Sequence, residues 1–239
     1  MTGRSTSMCF LSEVLNGIES ERLNDNMSSP FIQCIVVATI CGRTLEHKQT
    51  SHVVHRQQQL HSYRTEPEQG ISLNDLFRRH QALKVLLTRY IQFLSSQVAS
   101  MTEQPDPTLT FVAATAYAAV LMLCEAVEPR SFRADAQMAQ LAEALHMEHK
   151  EQSLDAAHKL GMLTIALGQI NHFQTHPFTP IPLLLSARFC LKQSGLNDPY
   201  SHIVPGISAA LEGLADVNGL ARNCLRLLNF KRSEPYKTD

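Results

Sequence analysis

A chain of 239 residues, 44% hydrophobic and 18% charged, has the composition of an ordinary globular protein and the length of one large domain or two small ones. Its 21 basic residues against 22 acidic ones leave a formal net charge of -1, which excludes a global attraction for nucleic acid and makes any such contact a local one. Six scattered cysteines without C-x-x-C spacing, and an N-terminus whose apolar patch is only Cys9, Phe10 and Leu11, predict reduced thiols in a nucleocytoplasmic protein with no cleavable signal.

The first periodic segment runs over residues 9–23, with Phe10, Leu11, Val14, Leu15 and Ile18 at helical spacing, and ends in the polar breaker NDNMSSP. A strong helix is predicted next. Ser29 is placed as its N-cap and Pro30 at its first turn, where the missing N–H costs nothing. Ile32, Ile35, Val36, Thr39 and Ile40 recur at steps of three and four, and Phe31, Val37 and Cys41 widen the stripe, so a central core helix is expected. Its apolar run of eleven residues is too short for a bilayer, which needs roughly 20. From 43 to 64 the chain turns polar; helix can continue there, but nothing in the stretch is expected to fill a core.

A second strong helix is predicted over 73–98, with Leu76, Phe77, Leu83, Leu86, Leu87, Tyr90, Ile91 and Leu94 on its apolar side and Asn74 or Ser72 as its cap. Pro105 and Pro107 then set up a helix whose uncharged, Ala-rich stretch FVAATAYAAVLMLCEAV, residues 111–127, reads as buried among other helices. At 17 residues and with Glu125 inside, it reads as a core helix rather than a membrane span. Residues 134–173 form a long helical stretch in which the charged run 143–155 predicts a break. A proline-rich opening leads into a helix over 181–193, LNDPYSHIVPG reads as a loop, and one last helix over 207–230 precedes a basic tail. No strand pattern competes, so the expected fold is all-α, an irregular multi-helix bundle of about seven to nine helices. Its expected organisation is an N-terminal segment 1–29, a helical regulatory domain 30–230 and a disordered tail 231–239.

Chemistry has little foothold. His47, His52, His55 and His61 cluster in one polar segment, but no zinc-motif spacing accompanies them, so exposed or hydrogen-bonded histidines are expected rather than a metal site. His146 and His149 stand one turn apart in LHMEHK, which is neither H-E-x-x-H nor H-x-x-E-H. No G-x-S-x-G elbow, P-loop or G-x-G-x-x-G occurs, so no enzyme, no cofactor and no catalytic, cofactor-binding or metal-binding residue is assigned. Residues 43–89 hold eight basic side chains against Glu46, Glu66, Glu68 and Asp75, a surplus that a solvated face explains.

Four stretches in register nevertheless carry a resemblance. PFIQCIVVATICGRTLEHKQ resembles a segment common in fungal zinc-cluster transcription factors, within the helical regulatory domain called the middle homology region. LFRRHQALKVLL looks like that family's aromatic-x-Arg-His-x-x-Leu helix, matched here by Phe77, Arg79, His80 and Leu83. HPFTPIPLLLSARFCLK is similar to its Pro-Phe segment and following helix, with Ala187 and Arg188 as the Ala-Arg pair, and LARNCLRLL echoes its C-terminal end. The resemblance implies an all-α regulatory domain in a nuclear regulator of a metabolic or secondary-metabolite gene cluster. With only Cys9 ahead of Cys34, the family's six-cysteine zinc cluster cannot be built from these residues, and direct sequence-specific DNA binding is not expected.

The leading expectation is therefore a transcription regulator that works through protein contact, as a homodimer or with a DNA-binding paralogue, and has no membrane association. The faces expected to pair are those of residues 9–23 and 207–230. A second expectation is a helical module that accepts an apolar small-molecule effector among the Ala-rich helices, and a third is an inactive remnant of such a regulator.

Overall fold

A computed structural model describes residues 29–61, 73–99, 105–126, 136–193 and 199–233. Seven helices occupy them: α1 Pro30–His61, α2 Leu73–Ala99, α3 Pro107–Glu125, α4 Ala136–Gln169, α5 Pro180–Gln193, α6 Ile203–Ala215 and α7 Gly219–Ser233. Among the described residues there is no strand, so the all-α expectation holds. The predicted helix over 9–23 and the tail beyond Ser233 lie outside the described residues; Lys231 and Arg232, predicted for that tail, are in α7. The chain divides into two compact units, one of Met1–Gln97 with Met122–Gln152 and the other of Val98–Leu121 with Ser153–Asp239, so α3 and α4 each contribute to both.

In the first unit the predicted start of α1 is where expected, with the Ser29 carbonyl accepting from the Gln33 N–H. The face that α1 buries is only partly the expected one: Val36, Val37 and Ile40 are inside as expected, but the stripe is rotated away from Phe31 and Ile35. Gln33, Val36, Val37, Ile40, Thr44, His47, Ser51 and Val54 are buried, whereas Phe31 and Ile35 are 72% and 40% exposed. Helical spacing carries this buried stripe straight into the polar half of α1, so the expectation that nothing after residue 43 fills a core is overturned. Several buried polar groups of this unit are hydrogen-bonded. Thr44 Oγ1 donates to the Ile40 carbonyl, Ser51 Oγ donates to the Ala126 carbonyl, and the Tyr90 hydroxyl donates to the Gln33 carbonyl. Helix α2 buries Leu76, His80, Leu83, Leu86, Leu87, Tyr90 and Leu94, close to its predicted face, with Phe77 and Ile91 half-buried.

The second unit is built on α3, the later part of α4, and α5 to α7. Asp106 caps α3 by accepting the Leu109 N–H at 2.7 Å, and Pro107 stands at the first helical position. Helix α3 has the length and apolarity to cross a membrane, but 67% of its apolar window is buried in the protein, as a core helix requires. Leu160, Leu183, Ile207 and Leu211 are fully buried at the centre of this unit's core, joined by Ala221, Cys224 and Leu228 of α7. Gly213 packs against a ring: a Cβ there would stand 2.9 Å from the imidazole Cε1 of His172, so any other residue would push that half-buried side chain aside.

Two helix boundaries differ from expectation. The break predicted within 143–155 does not occur, and α4 is continuous. Its charged residues Glu148, Lys150, Glu151 and Asp155 are exposed while His149, Ser153, Ala156 and Ala157 are buried, so the charges lie outside the stripe and no Gly or Pro interrupts it. The single last helix is in fact two, and part of the expected loop, from Ile203 on, is the first turn of α6. Asp216 is the C-cap of α6, and Asn218 starts α7. Asn218 Oδ1 accepts from the N–H groups of Leu220 and Ala221, while its Nδ2 donates to the Pro177 carbonyl at 2.9 Å. Asn218→Ala removes a cap and a tertiary bond together, and is expected to cost ~1–2 kcal/mol in urea unfolding. Asn218→Asp keeps the cap acceptor and should recover most of the capping contribution.

Candidate functional site

Three histidines drawn from three separate sequence signals converge in the first unit. His47 comes from the polar half of α1, His80 from the aromatic-x-Arg-His helix α2, and His149 from LHMEHK in α4. Each falls on its helix's buried stripe, and the three are 2%, 1% and 3% exposed. His47 Nε2 lies 3.1 Å from His80 Nδ1, and His80 Nε2 lies 2.9 Å from His149 Nε2. The result is a buried imidazole chain with His80 in the middle. Of the other histidines singled out, His52 is exposed, and the side chains of His55, His61 and His146 lie outside the described residues.

Hydrogen bonding sets the role of the middle ring. Two bonds through one neutral imidazole require His80 to accept at one nitrogen and donate at the other. His47 Nδ1 is buried and has no hydrogen-bond partner among the described residues. One terminal imidazole donates to His80 and the other accepts from it, so the three rings form one continuous hydrogen-bonded chain.

Electrostatics hold His47 and His80 neutral. Burial, reinforced by the Arg79 guanidinium, lowers His47 to about 4. Burial again, followed by His149, His47 and Lys84, lowers His80 to about 3. The cations beside the chain are themselves matched, with Lys48 paired to Glu125, Arg79 4.0 Å from Glu46 and Lys84 paired to Glu148. Two of the eight basic side chains of 43–89, Lys48 and Lys84, are thus paired with carboxylates from outside that stretch, while Arg43 and Arg78 are exposed.

This arrangement does not suit a single metal ion. His80 meets its two neighbours with ring nitrogens that point in divergent directions, so no one ion reaches all three imidazoles. What the chain can do is fix how α1, α2 and α4 pair: a slip of any helix by one residue removes a histidine and strands its partners. Burial raises the thiols of Cys41 and Cys224 and pushes Cys124 up to about 12, which disfavours the nucleophilic thiolate at those three positions. In the second unit, Ser153 Oγ and the Tyr200 hydroxyl share a buried 3.0 Å hydrogen bond, and Phe189 meets the Tyr200 ring edge-on. These too are structural contacts.

The positions of the resemblance take unlike roles. His80 and Leu83 are buried, Phe77 is half-buried and Arg79 is exposed; Ala187 is fully buried and Arg188 exposed. The face expected to pair over 207–230 is not available, since Ile207, Leu211, Leu214, Ala221, Cys224 and Leu228 lie in the second unit's core. Reading the sequence missed the histidine chain because its members come from positions 33 and 69 residues apart. The one available signal was that His47 and His149 continue the apolar stripes of their helices at steps of three and four.

No family model matches the chain, and no solved structure matches it. Curated relatives do. The chain is 33% identical over 98% of its length to the pigment biosynthesis transcriptional activator pigB of Monascus ruber, of which it spans 38%. It is 30% identical over 91% of its length to the citrinin biosynthesis transcriptional activator ctnR of Monascus purpureus, spanning 35% of that protein. It is also 30% identical over 92% of its length to the transcription factor tazR of Aspergillus terreus, spanning 31%. The chain therefore spans about a third of the length of the curated relatives it matches, and these homologues are fungal transcription factors, two of them named for biosynthetic pathways.

Proposed function

We propose that this chain, a homologue of one segment of fungal cluster-specific transcription factors, is a transcription regulator of a secondary-metabolite gene cluster. The observation that carries the reading is the alignment of nearly the whole chain with a pigment-cluster activator. It acts in the nucleus through protein contact as a helical regulatory domain, and sequence-specific DNA contact belongs to a partner. The ion-paired basic side chains of the first unit support that division of labour. No catalytic residue, metal or cofactor enters the proposal.

Deleting the gene is the direct test, with transcripts and the metabolites of neighbouring biosynthetic genes measured together. The expected result is that a defined set of transcripts shifts as a group. Metabolites that change while every transcript holds steady would overturn the reading and favour an effector-binding or enzymatic role.

A further inference from the structure

Helix α1 has two apolar faces, and the described residues pack on one of them. Opposite the buried stripe, Phe31, Ile35, Ala38, Gly42, Leu45 and Gln49 recur at alternating steps of four and three, and all six are exposed. Steps of 4 and 3 are the spacing of a helix–helix seam, in which each side chain enters a hole on a facing helix. From Phe31 to Leu45 the seam is about 21 Å long at 1.5 Å per residue. It contains no charged residue, and the exposed charges beside it, Arg43 and Glu46, have opposite signs.

Gly42 adds a second observation. A glycine inside a helix costs roughly 0.5–1 kcal/mol relative to alanine. Nothing in this fold requires that cost, because a Cβ at Gly42 would meet no atom within 4 Å. With Ala38 one turn before it, Gly42 makes a notch in the outer face where another backbone can approach closely. The notch has the large side chains Ile35 and Leu45 on either side.

We propose that this outer face of α1 is a self-association surface, with α1 of a second copy as its occupant; the inference deepens the protein-contact regulator proposed above and rests on it. The order large, small, small, large along Ile35, Ala38, Gly42 and Leu45 reads the same in both directions. Under a two-fold axis near Ile40, the partner's notch meets this notch and the partner's Leu45 meets Ile35, which is the self-complementarity that an isologous interface requires. Two such faces bury on the order of 1,000 Å² in total, the lower edge of specific interfaces, so the dimer is one of micromolar rather than nanomolar affinity.

Sedimentation of the full chain at concentrations up to roughly 200 µM tests this directly. Wild-type protein is expected to pass from monomer to dimer, and Ala38→Glu and Leu45→Glu are expected to weaken association at least tenfold while circular dichroism keeps the wild-type helix content. Gly42→Ala guards against misfolding, since alanine is the better helix former and its methyl enters open space; it should weaken association several-fold by filling the notch. Wild-type protein that stays monomeric throughout, or a dimer indifferent to all three substitutions, overturns the proposal. The deletion experiment reads the regulatory proposal separately: a monomeric chain whose loss still shifts the gene set defeats the seam alone.

Discussion

Lowering the pH from 7 to 5 is expected to strip at most roughly 3–4 kcal/mol from the first unit, by an acid transition that starts near neutrality. Free histidine in the unfolded chain takes up its proton around 6.5, whereas His47 holds off until about 4 and His80 until about 3. A folded-state value below the unfolded one means the unfolded chain binds the extra protons. Stability is therefore full above pH 6.5 and is lost as the pH falls toward the folded values, at up to ~1.4 kcal/mol per pH unit for each group. The two histidines are hydrogen-bonded to each other, so their contributions are coupled and the sum is an upper bound. Urea midpoints at pH 7 and pH 5 measure the slope. His80→Gln separates cause from coincidence: at pH 7 it should cost ~1–3 kcal/mol by disturbing both bonds of the chain, and it should also flatten the pH dependence by removing the more strongly shifted group. A variant with the wild-type slope would show that the acid sensitivity comes from elsewhere.

Leu211→Ala is expected to destabilise the second unit by ~2–5 kcal/mol, a large part of a domain's total stability. Leu211 is fully buried in α6, within the core that Leu160, Leu183 and Ile207 also fill. Removing its side chain forfeits the transfer energy of three methyl or methine groups and leaves a cavity that three packed helices cannot easily close. Leu227→Ala, on the face of α7 that is 57% exposed at that residue, is the control and should change stability by no more than ~0.5 kcal/mol. Chemical denaturation of both variants at pH 7 decides the matter. A Leu211→Ala cost below ~1 kcal/mol would mean that this core is looser than its burial indicates.

The regulatory reading gains from these physical features without depending on them. A chain whose buried polar contacts join residues far apart in sequence has a strong preference for one helix arrangement, and a helical domain that presents a surface to a partner needs that arrangement to be unique. The three relatives align across most of this chain, which is the observation that connects a helical unit of this kind to the control of biosynthetic clusters.

By itself the sequence determined the class and most of the parts. Periodicity at three and four placed α2 and its buried leucines, Ser29–Pro30 and Pro105–Pro107 marked two helix starts, and the uncharged stretch from Phe111 identified a core helix. The split between α6 and α7 was missed: the Asn218–Gly219 pair is suited to capping, but the apolar pattern on both sides reads as one helix. Only the tertiary structure decided which face of α1 is buried. An apolar pattern shared by both sides of a helix does not say which side meets a neighbour, and that neighbour brought His47 and Ser51 inside while leaving Phe31 and Ile35 out. The tertiary structure alone also decided that the charged run of α4 stays helical and that its histidine joins two others. A buried imidazole is tolerable only where another chain segment supplies the matching nitrogen, and that partner, 33 or 69 residues away, leaves no mark on local sequence.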